Sequence, residues 1–541
     1  MILAQTTFGW GSIDVRYSRS EVPATSKKSP LLRAWRGERV AAQAVLAAQE
    51  DLENVSVIVS DLKCGKNVIP ASAIKRYFVR EVMAEPFYNK KDSMMCSDRL
   101  DPAATTRVEA GTVQPVWLDI HVPADAKPGI YRGTIKTLSN SPLKGENSSP
   151  LRGGWEGSLP IVLEVADRVL PAPSQWSFHL DLWQNPYAAA RYFDVPLWSQ
   201  QHFDKMRPTM ELLAAAGEKV ITCSVISRPW NGQTFDPFES MIAKMKQLDG
   251  TWKYDYTVFD RWVEFMMSCG ITEQIDCYTL VPWHYRFDYY DCATNMVQYV
   301  ACKPGEQAYR DFIVPFLKDF SRHLRQKGWF ERTHIAMDER PADQMEAAWQ
   351  TIQEADPEFK IEGAANYNVE SEAADRVDDI SVAYQYDLLT AEALARRTAK
   401  GQKITFYTCC GPERPNTFTF SPPAESAYLG WHALACGYDG YLRWAYNSWP
   451  AQPNEDSRFG NWPAGDTYLV YPGGSSIRFE RLVEGIQSYE KVRLLYPALS
   501  AKQQKRLDEV IATFAPNNYS SDQDLVGMLR KANDLLWELS K

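Results

Sequence analysis

The chain has 541 residues, which is enough for several domains and a large hydrophobic core. Its 68 acidic residues outnumber its 59 basic ones and give a net charge of −9, which disfavours a nucleic-acid-binding protein. Because no apolar stretch reaches the roughly 18 residues that a membrane-spanning helix needs, we predict no membrane span.

Short alternating segments fill the chain up to about residue 168. Apolar and polar residues alternate with a period of two in LENVSVIVSDL, VQPVWLDIHV, GIYRGTIKTL and GSLPIVLEVAD. A polar loop rich in Ser, Gly and Pro lies near residues 139–154. This pattern predicts an N-terminal β-sandwich over residues 1–168. Since nothing in it assembles a catalytic cluster, we expect an accessory domain.

The period changes after the proline-containing junction VADRVLPAPSQW at residues 165–176. Strand-like apolar runs then alternate with longer segments in which apolar residues recur at i, i+3, i+4 and i+7. The eight runs span 176–183, 219–226, 274–281, 333–339, 359–367, 379–386, 403–410 and 440–447. They predict a (β/α)8 TIM-like barrel over residues 169–490, with an open α/β sheet as the alternative. We expect the tail, residues 491–541, to form helices that pack on the barrel.

Aromatic and polar residues gather where the predicted strands end, which is where a (β/α)8 barrel carries its active site. Most of the eight ends carry Trp or Tyr, and most carry a polar side chain as well. The candidate binding residues at these ends are Trp283, His284, Asn366, Tyr367, Tyr386, Tyr407, Arg443 and Trp444. Aromatic platforms with hydrogen-bonding groups between them favour a carbohydrate pocket, although large barrels also bury many aromatic residues.

Asp338 and Glu339 stand side by side at the end of the fourth run, in the stretch THIAMDERP. Two carboxyl groups in different environments can divide the roles of carboxylate and proton donor. A retaining glycosidase with a protein nucleophile sets its carboxyls about 5–5.5 Å apart, usually on different strands. Adjacent carboxyls fit substrate-assisted hydrolysis better, with the 2-acetamido oxygen of the sugar as nucleophile. The competing interpretation is an ion pair between Glu339 and Arg340 on the barrel rim.

Roles for the remaining candidates stay open between binding and packing. Tyr386 or Tyr407 hydrogen-bonds the acetamido carbonyl or packs in the core, Trp444 and Trp449 form a wall behind the sugar or pack, and His284 holds a ring hydroxyl or caps its loop. Arg443 interrupts an apolar run and therefore needs a partner, for which Asp338 is a candidate. Asp466 lies in a long Pro/Gly/Trp-rich loop at 448–474, for which we predict a lid over the substrate.

The sequence carries no recognisable metal-ligand spacing. None of its ten cysteines forms a CxxC pair, and neither HxH nor HExxH occurs around the isolated His284, His334 and His432. We therefore predict no metal site and no cofactor, and we expect buried free thiols instead of a disulfide framework.

Several motifs together resemble glycoside hydrolase family 123, the β-N-acetylgalactosaminidases. They are IAMDERP, AANYN, AYQYD, GYLRWAYNSW and GDTYLVYPGG…IRFERLVEGIQSYE, and the resemblance covers most of the chain. It implies a β-sandwich before a (β/α)8 barrel, and retaining removal of terminal β-linked N-acetylgalactosamine, with glycosphingolipid glycans as the suggested substrates. By position, Asp338 would orient and polarise the 2-acetamido group and Glu339 would be the general acid/base.

Two other functions stay open on the residues alone. A β-N-acetylglucosaminidase or general hexosaminidase would bind a sugar that differs only at O4, and no residue decides between them. A non-catalytic sugar-binding barrel is the second alternative, against which the intact Asp338–Glu339 pair argues. In each case the partner is a glycan, and access to it leads us to expect export to the periplasm or the extracellular space. The sequence leaves the oligomeric state open.

Overall fold

The structure, a computed structural model, describes residues 5–139, 154–365, 374–384, 390–515 and 523–541. Most of the predicted polar loop at 139–154 lies outside these residues. The chain divides into two compact units. One, the β-unit, comprises residues 1–176, 413–435 and 452–541, and the other, the barrel unit, comprises residues 177–412 and 436–451. The predicted barrel domain, residues 169–490, includes residues 169–176, 413–435 and 452–490, which belong to the β-unit in this division.

Two β-sheets build the β-unit. Their strands along the chain are β1 (Thr7–Trp10), β2 (Leu32–Arg36), β3 (Arg39–Ala47), β4 (Leu52–Val59), β5 (Leu62–Cys64), β6 (Asn67–Ile69), β7 (Ile74–Ala84), β8 (Met94–Asp101), β9 (Thr105–Val108), β10 (Val113–His121), β11 (Gly129–Leu138) and β12 (Glu156–Val169). One sheet has the order β1-β3-β10-β7-β8, and the other β2-β12-β11-β4-β9 with β5 and β6 beside β11.

Alternating side chains of both sheets share one hydrophobic core. Phe78 and Leu118 from the first sheet and Tyr131 and Leu163 from the second belong to a single buried cluster. Since successive side chains of a strand point to opposite faces, this cluster is where the inner faces of the two sheets meet. The β-unit is therefore a sandwich, as the alternating pattern predicts.

The C-terminal part of the chain also belongs to the β-unit. A final strand, β25 (Ser475–Ser476), extends the first sheet by pairing with β8. The tail, predicted to pack on the barrel, contributes helices to this unit, and the Trp35 indole donates to the Ser540 hydroxyl at 2.9 Å. Nearby, a Cβ on Gly430 would lie 2.1 Å from the Gly485 carbonyl oxygen, so two helices approach there at glycine positions.

An eight-stranded parallel sheet forms the centre of the barrel unit. Its strands are β13 (His179–Leu182), β14 (Val220–Ser224), β17 (Gln274–Tyr278), β20 (Thr333–Met337), β21 (Lys360–Ala365), β22 (Asp379–Ala383), β23 (Lys403–Tyr407) and β24 (Gly440–Arg443). The order is β13-β24-β23-β22-β21-β20-β17-β14. A parallel bridge between Leu180 and Glu218 joins the two edge strands, so the sheet is nearly closed. All eight predicted strands are present.

A second, smaller sheet in the barrel unit was not predicted. Its strands, β15 (Ala243–Lys246), β16 (Trp252–Asp255), β18 (Arg286–Asp291) and β19 (Met296–Ala301), have the order β16-β15-β18-β19. They are inserted after β14 and after β17 along the chain. Short strands with mixed polarity, such as Trp252–Asp255, give no buried run for a pattern to detect.

Helices separate most of the barrel strands along the chain. The helices of the structure are α1 (Pro186–Tyr192), α2 (Gln200–Ala214), α3 (Thr257–Ser268), α4 (Gln307–Lys327), α5 (Ala342–Ala355), α6 (Ala391–Ala399), α7 (Pro423–Cys436), α8 (Ile477–Leu495), α9 (Ala501–Ile511) and α10 (Leu525–Leu539). Local caps set their ends: the Asn185 side chain accepts from two N–H groups of α1, and Gly328 ends α4 with a φ of 71°. Among the described helices, none has the length and apolarity that crossing a membrane requires.

Candidate active site

Asp338 and Glu339 follow directly after β20, which lies between β17 and β21 in the sheet. All five residues of β20 are buried, whereas Asp338 and Glu339 are partly exposed. The strand ends at Met337 and α5 begins at Ala342, with Pro341 before it. Neighbouring side chains of an extended strand point to opposite faces of the sheet. Because the chain is no longer extended after Met337, the side chains of Asp338 and Glu339 can point to the same side. They lie at the carboxyl edge of the parallel sheet.

Two N–H donors hold the Asp338 carboxylate. The Trp283 indole donates to Oδ2 at 2.9 Å, and the backbone N–H of Glu339 donates to Oδ1 at 2.8 Å. Burial raises the pKa of Asp338, while the Trp283 hydrogen bond, the Glu339 N–H and the charge of Arg340 oppose that rise. These donors favour the ionised form and fix the orientation of the carboxylate.

Arg340 packs against the Trp283 indole, which donates to Asp338. Its guanidinium carbon lies 4.5 Å from the centre of the Trp283 ring and 5.0 Å from that of the Tyr285 ring. It also donates to the Tyr285 hydroxyl, which in turn donates to Gln344 Oε1 at 2.7 Å. One face of the Trp283 ring is therefore occupied by a cation, which holds the indole in place. These contacts of Arg340 are to two aromatic rings and a hydroxyl group. They differ from the predicted alternative, an ion pair of Arg340 with Glu339 on the barrel rim.

Glu339 has a different environment from its neighbour. The Tyr407 hydroxyl, from the end of β23, donates to Glu339 Oε1. Burial, and then the negative charge of Asp338, raise the pKa of Glu339 to about 7. Near neutral pH this carboxyl group can therefore give up and take back a proton, while the N–H donors on Asp338 favour its carboxylate against the effect of burial.

An aromatic layer lies at the same end of the sheet. Its buried members include Trp183, Trp230, Tyr278 and Tyr407, and Trp444 packs against them with part of its surface exposed. The Trp183 ring lies 5.0 Å from Trp230 and 4.4 Å from Tyr278, centre to centre. Flat apolar rings beside two carboxyl groups suit the C–H face of a sugar.

The structure brings some predicted binding residues to the dyad. Trp283 contacts Asp338, Tyr407 contacts Glu339, and Trp444 joins the aromatic layer that contains Tyr407. His284 bridges its own loop, after β17, to the loop after β14. Its Nδ1 accepts from the Arg286 N–H at 3.0 Å, so Nε2 carries the proton and donates to the Ser227 carbonyl at 3.2 Å.

The structure places other predicted residues in packed surroundings. Arg443 is fully buried and donates to the Thr408 carbonyl and hydroxyl, each at 3.2 Å. Trp449 is also fully buried, and its ring packs edge-on against Tyr192 at 5.6 Å and Phe193 at 6.0 Å. The Trp449 ring thus contacts protein on these sides.

Four of the predicted binding residues remain untested by the geometry around Asp338 and Glu339. Asp466 is fully buried in the β-unit, and its place in a lid stays a prediction. Asn366, Tyr367 and Tyr386 lie outside the described residues.

Sequence reasoning missed a set of carboxyl groups inside the strands. Among the described residues, Asp181, Asp276 and Glu362 form the group of His, Cys, Asp or Glu side chains that could share a metal ion. The signal was present: each acid stands at a single position within an apolar run, on β13, β17 and β21 respectively. A carboxyl at such a position is costly unless something compensates it.

Comparison with family models gives two matches. Residues 183–495 match the model described as glycoside hydrolase 123, catalytic domain. Residues 10–139 match the model described as glycoside hydrolase 123 N-terminal domain. No curated protein sequence matches the chain.

Among solved structures, the chain is similar to a family 123 glycoside hydrolase from Clostridium perfringens, described in terms of glycolipid glycan hydrolysis. The two share 26% sequence identity with a TM-score of 0.87, over 99% of this chain and 97% of that chain. A GH113 β-1,4-mannanase aligns with a TM-score of 0.30 at 12% identity, over 58% of this chain and 98% of that chain. A GH2 β-galacturonidase from Eisenbergiella tayi aligns with a TM-score of 0.30 at 10% identity, over 84% of this chain and 90% of that chain.

Proposed function

Because the chain belongs to glycoside hydrolase family 123, we propose that it is a retaining exo-glycosidase that removes terminal β-linked N-acetylgalactosamine from glycans. The proposed mechanism is substrate-assisted. The 2-acetamido oxygen of the sugar is the nucleophile, Asp338 orients and polarises the acetamido group, and Glu339 is the general acid/base. The aromatic layer and Trp283 would enclose the sugar.

The first step breaks the glycosidic bond. The acetamido carbonyl oxygen attacks the anomeric carbon, the electron pair of the C–O bond passes to the leaving oxygen, and Glu339 supplies the proton. The positive charge that develops on the acetamido group is stabilised by the Asp338 carboxylate, which the Trp283 indole and the Glu339 N–H hold at 2.9 and 2.8 Å.

The second step opens the oxazolinium intermediate. Glu339, now a carboxylate, takes a proton from a water molecule whose oxygen attacks the anomeric carbon. The carbon–oxygen bond of the five-membered ring breaks and its electron pair restores the acetamido carbonyl. Two inversions at one carbon retain the β configuration, and Glu339 ends protonated, ready for the next cycle.

The observation that carries this proposal is the unequal pair. Glu339 has a pKa raised to about 7 by burial and by the adjacent Asp338, so it can act as acid and base near neutral pH. Asp338 has two N–H donors that keep its carboxylate oriented. A conventional pair of nucleophile and acid does not require one carboxyl to be fixed by such donors beside the other.

The proposal also covers the natural substrate and the compartment in which the enzyme acts. The description of the Clostridium perfringens neighbour favours glycolipid glycans as substrates of this chain also. We propose export to the periplasm or extracellular space on the ground that such glycans would be encountered there.

The test is release of p-nitrophenol from the β-N-acetylgalactosaminide and the β-N-acetylglucosaminide, side by side, by the native enzyme, Glu339→Gln and Asp338→Asn. Activity on the galactosaminide alone, lost in both variants, supports the sugar and the dyad together. Equal rates on both sugars would identify a general hexosaminidase. If neither sugar is cleaved, binding of a thiazoline analogue of the intermediate is measured. Binding would indicate an enzyme that requires a different aglycone, and no binding would indicate a sugar-binding protein.

A further inference from the structure

Three carboxyl groups converge inside the barrel on the amino-terminal side of the dyad. Asp181, Asp276 and Glu362 come from three different strands and are 3%, 0% and 1% exposed. Each precedes by two residues a member of the buried cluster that contains the aromatic layer, namely Trp183, Tyr278 and Ala364 respectively. Side chains two apart on a strand share a face, so the three carboxyls point into the barrel beneath that layer. We call them the carboxyl triad.

The triad is compact enough to share one ion. One oxygen from each carboxyl lies within 4.8 Å of the corresponding oxygens of the other two. A buried set of protein oxygens suits Ca²⁺, which takes about six to eight oxygen ligands, better than Mg²⁺, which usually keeps several of its waters. An all-oxygen set is also typical of Ca²⁺ and not of Zn²⁺.

Buried polar atoms at the triad lack hydrogen-bond partners. Neither oxygen of Glu362 nor Oδ1 of Asp181 has one, although all three atoms are shielded from solvent. The buried Tyr278 hydroxyl also lacks a hydrogen-bond partner. The Tyr278 hydroxyl faces the Glu362 carboxyl without reaching hydrogen-bond geometry. Buried polar atoms are normally satisfied, so these point to a missing ligand.

The neighbouring protein groups compensate the triad only in part: the Trp183 indole donates to Asp181 Oδ2 at 3.4 Å but carries no charge. His179 lies 2.8 Å from Asp379, so its charge is engaged with a carboxylate outside the triad. His334 Nδ1 is 3.6 Å from Asp276 Oδ1 without forming a hydrogen bond. Gln274 donates to both Asp276 oxygens, at 3.0 and 3.2 Å, but carries no charge.

We propose that Asp181, Asp276 and Glu362 bind one divalent cation of the calcium class inside the barrel. The cation is structural: it joins β13 to β17 and β21, the two strands that flank the dyad strand β20. Tyr278 supplies a neutral oxygen beside it. The alternative occupants of the triad are protons shared between the carboxyls, and the two possibilities give opposite experimental results.

The test uses the purified full-length protein, independently of any glycosidase activity. Elemental mass spectrometry on the native protein should find about one equivalent of calcium. Protein unfolded and refolded in EDTA should melt several degrees lower, and Ca²⁺ should restore the melting temperature whereas Mg²⁺ should not. Refolding in EDTA gives a buried site the opportunity to lose its ion.

Variants distinguish the triad from the dyad. Asp276→Asn and Glu362→Gln keep the side-chain shape, and each should lose most of the bound calcium and its response to added Ca²⁺. The matched control is Glu339→Gln, which changes a carboxyl in the same unit and should keep the full equivalent. Native protein without any divalent cation, with a melting temperature indifferent to Ca²⁺, Mg²⁺ and Mn²⁺ after refolding in EDTA, would overturn the proposal. So would higher melting temperatures in both triad variants, because shared protons predict that neutral amides relieve the buried carboxyls.

Discussion

The barrel unit holds two groups of neighbouring carboxyls, which differ in their exposure to solvent and in the hydrogen bonds that they accept. The Asp338–Glu339 dyad is partly exposed and receives donors from Trp283, Tyr407 and the backbone. The carboxyl triad beneath it is sealed from solvent, and both Glu362 oxygens lack partners. Burial raises pKa values in both groups. A raised pKa alone therefore does not identify a catalytic acid, and exposure to solvent is what distinguishes the dyad from the triad.

The largest effect should come from the general acid/base. Glu339→Gln removes the transferable proton and should lower kcat on an unactivated glycan by about 10²- to 10⁴-fold, with the melting temperature nearly unchanged. Steady-state kinetics together with a thermal melt check this. A variant that loses stability and keeps its activity would assign to Glu339 the structural role that we reserve for the triad.

A compensated carboxylate in the β-unit provides a reference for the triad. Asp98 is fully buried and accepts from Arg478 at 2.9 Å, Arg16 at 2.8 Å and the Tyr471 hydroxyl at 2.7 Å. Burial alone would raise its pKa, but the two guanidinium charges and the hydrogen bonds more than offset this and lower it.

Asp98→Asn should therefore destabilise the protein by about 3–5 kcal/mol, because it leaves buried guanidinium groups uncompensated. Chemical denaturation measures this loss, and the calcium content should stay at the native level. An Asp98→Asn protein as stable as the native one would show that compensation contributes little at buried carboxyls here, and would weaken the comparison with the triad.

Trp283→Phe tests the indole donor that orients the Asp338 carboxylate. The substitution keeps a ring beneath Arg340 and removes the N–H that lies 2.9 Å from Asp338 Oδ2. We expect kcat to fall by about 10- to 100-fold with a smaller change in KM, since a mobile carboxylate orients the acetamido group less well. An equal loss in Trp283→Phe and Trp283→Ala would locate the effect in the N–H, and full activity in Trp283→Phe would contradict the role.

The smallest effect should be a shift in pH dependence. Activity needs protonated Glu339, so it should fall as pH rises through the pKa of about 7, and it needs ionised Asp338, so it should fall again in acid. Tyr407→Phe removes a donor that favours the Glu339 carboxylate, which should raise the pKa of Glu339 and move the basic limb upward by about one pH unit or less. A basic limb that moves downward would contradict this reading of the contact.

The sequence predicted the barrel strands well because buried parallel strands are continuous apolar runs, as in β14 and β20. It could not predict that the C-terminal segments join the β-unit. Ser475 pairs with Leu100 and Arg478 with Asp98, and no local pattern records partners so far apart along the chain. The small sheet was missed because its strands are short and largely exposed.

At the site, the rule that loops after parallel strands carry function was enough to select Asp338, Glu339, Trp283 and Tyr407. It could not select contacts: the hydrogen bonds from Arg443 to the Thr408 carbonyl and hydroxyl follow from no local pattern, and a carboxylate partner for Arg443 stays a prediction. The triad escaped attention because single acids within apolar runs look like local exceptions. Only the register of the sheet shows that Asp276 and Glu362 share one interior with Asp181.

The central claim, that the acetamido group of the substrate is the nucleophile beside an Asp338-fixed site, has a direct test. It is the kcat/KM of p-nitrophenyl β-N-acetylgalactosaminides carrying N-acetyl, N-fluoroacetyl, N-difluoroacetyl and N-trifluoroacetyl groups. Fluorine withdraws electron density from the amide oxygen, so substrate assistance predicts a steep, progressive fall along the series. Rates that are the same across all four substrates would show that the amide oxygen does not attack, and would contradict the mechanism.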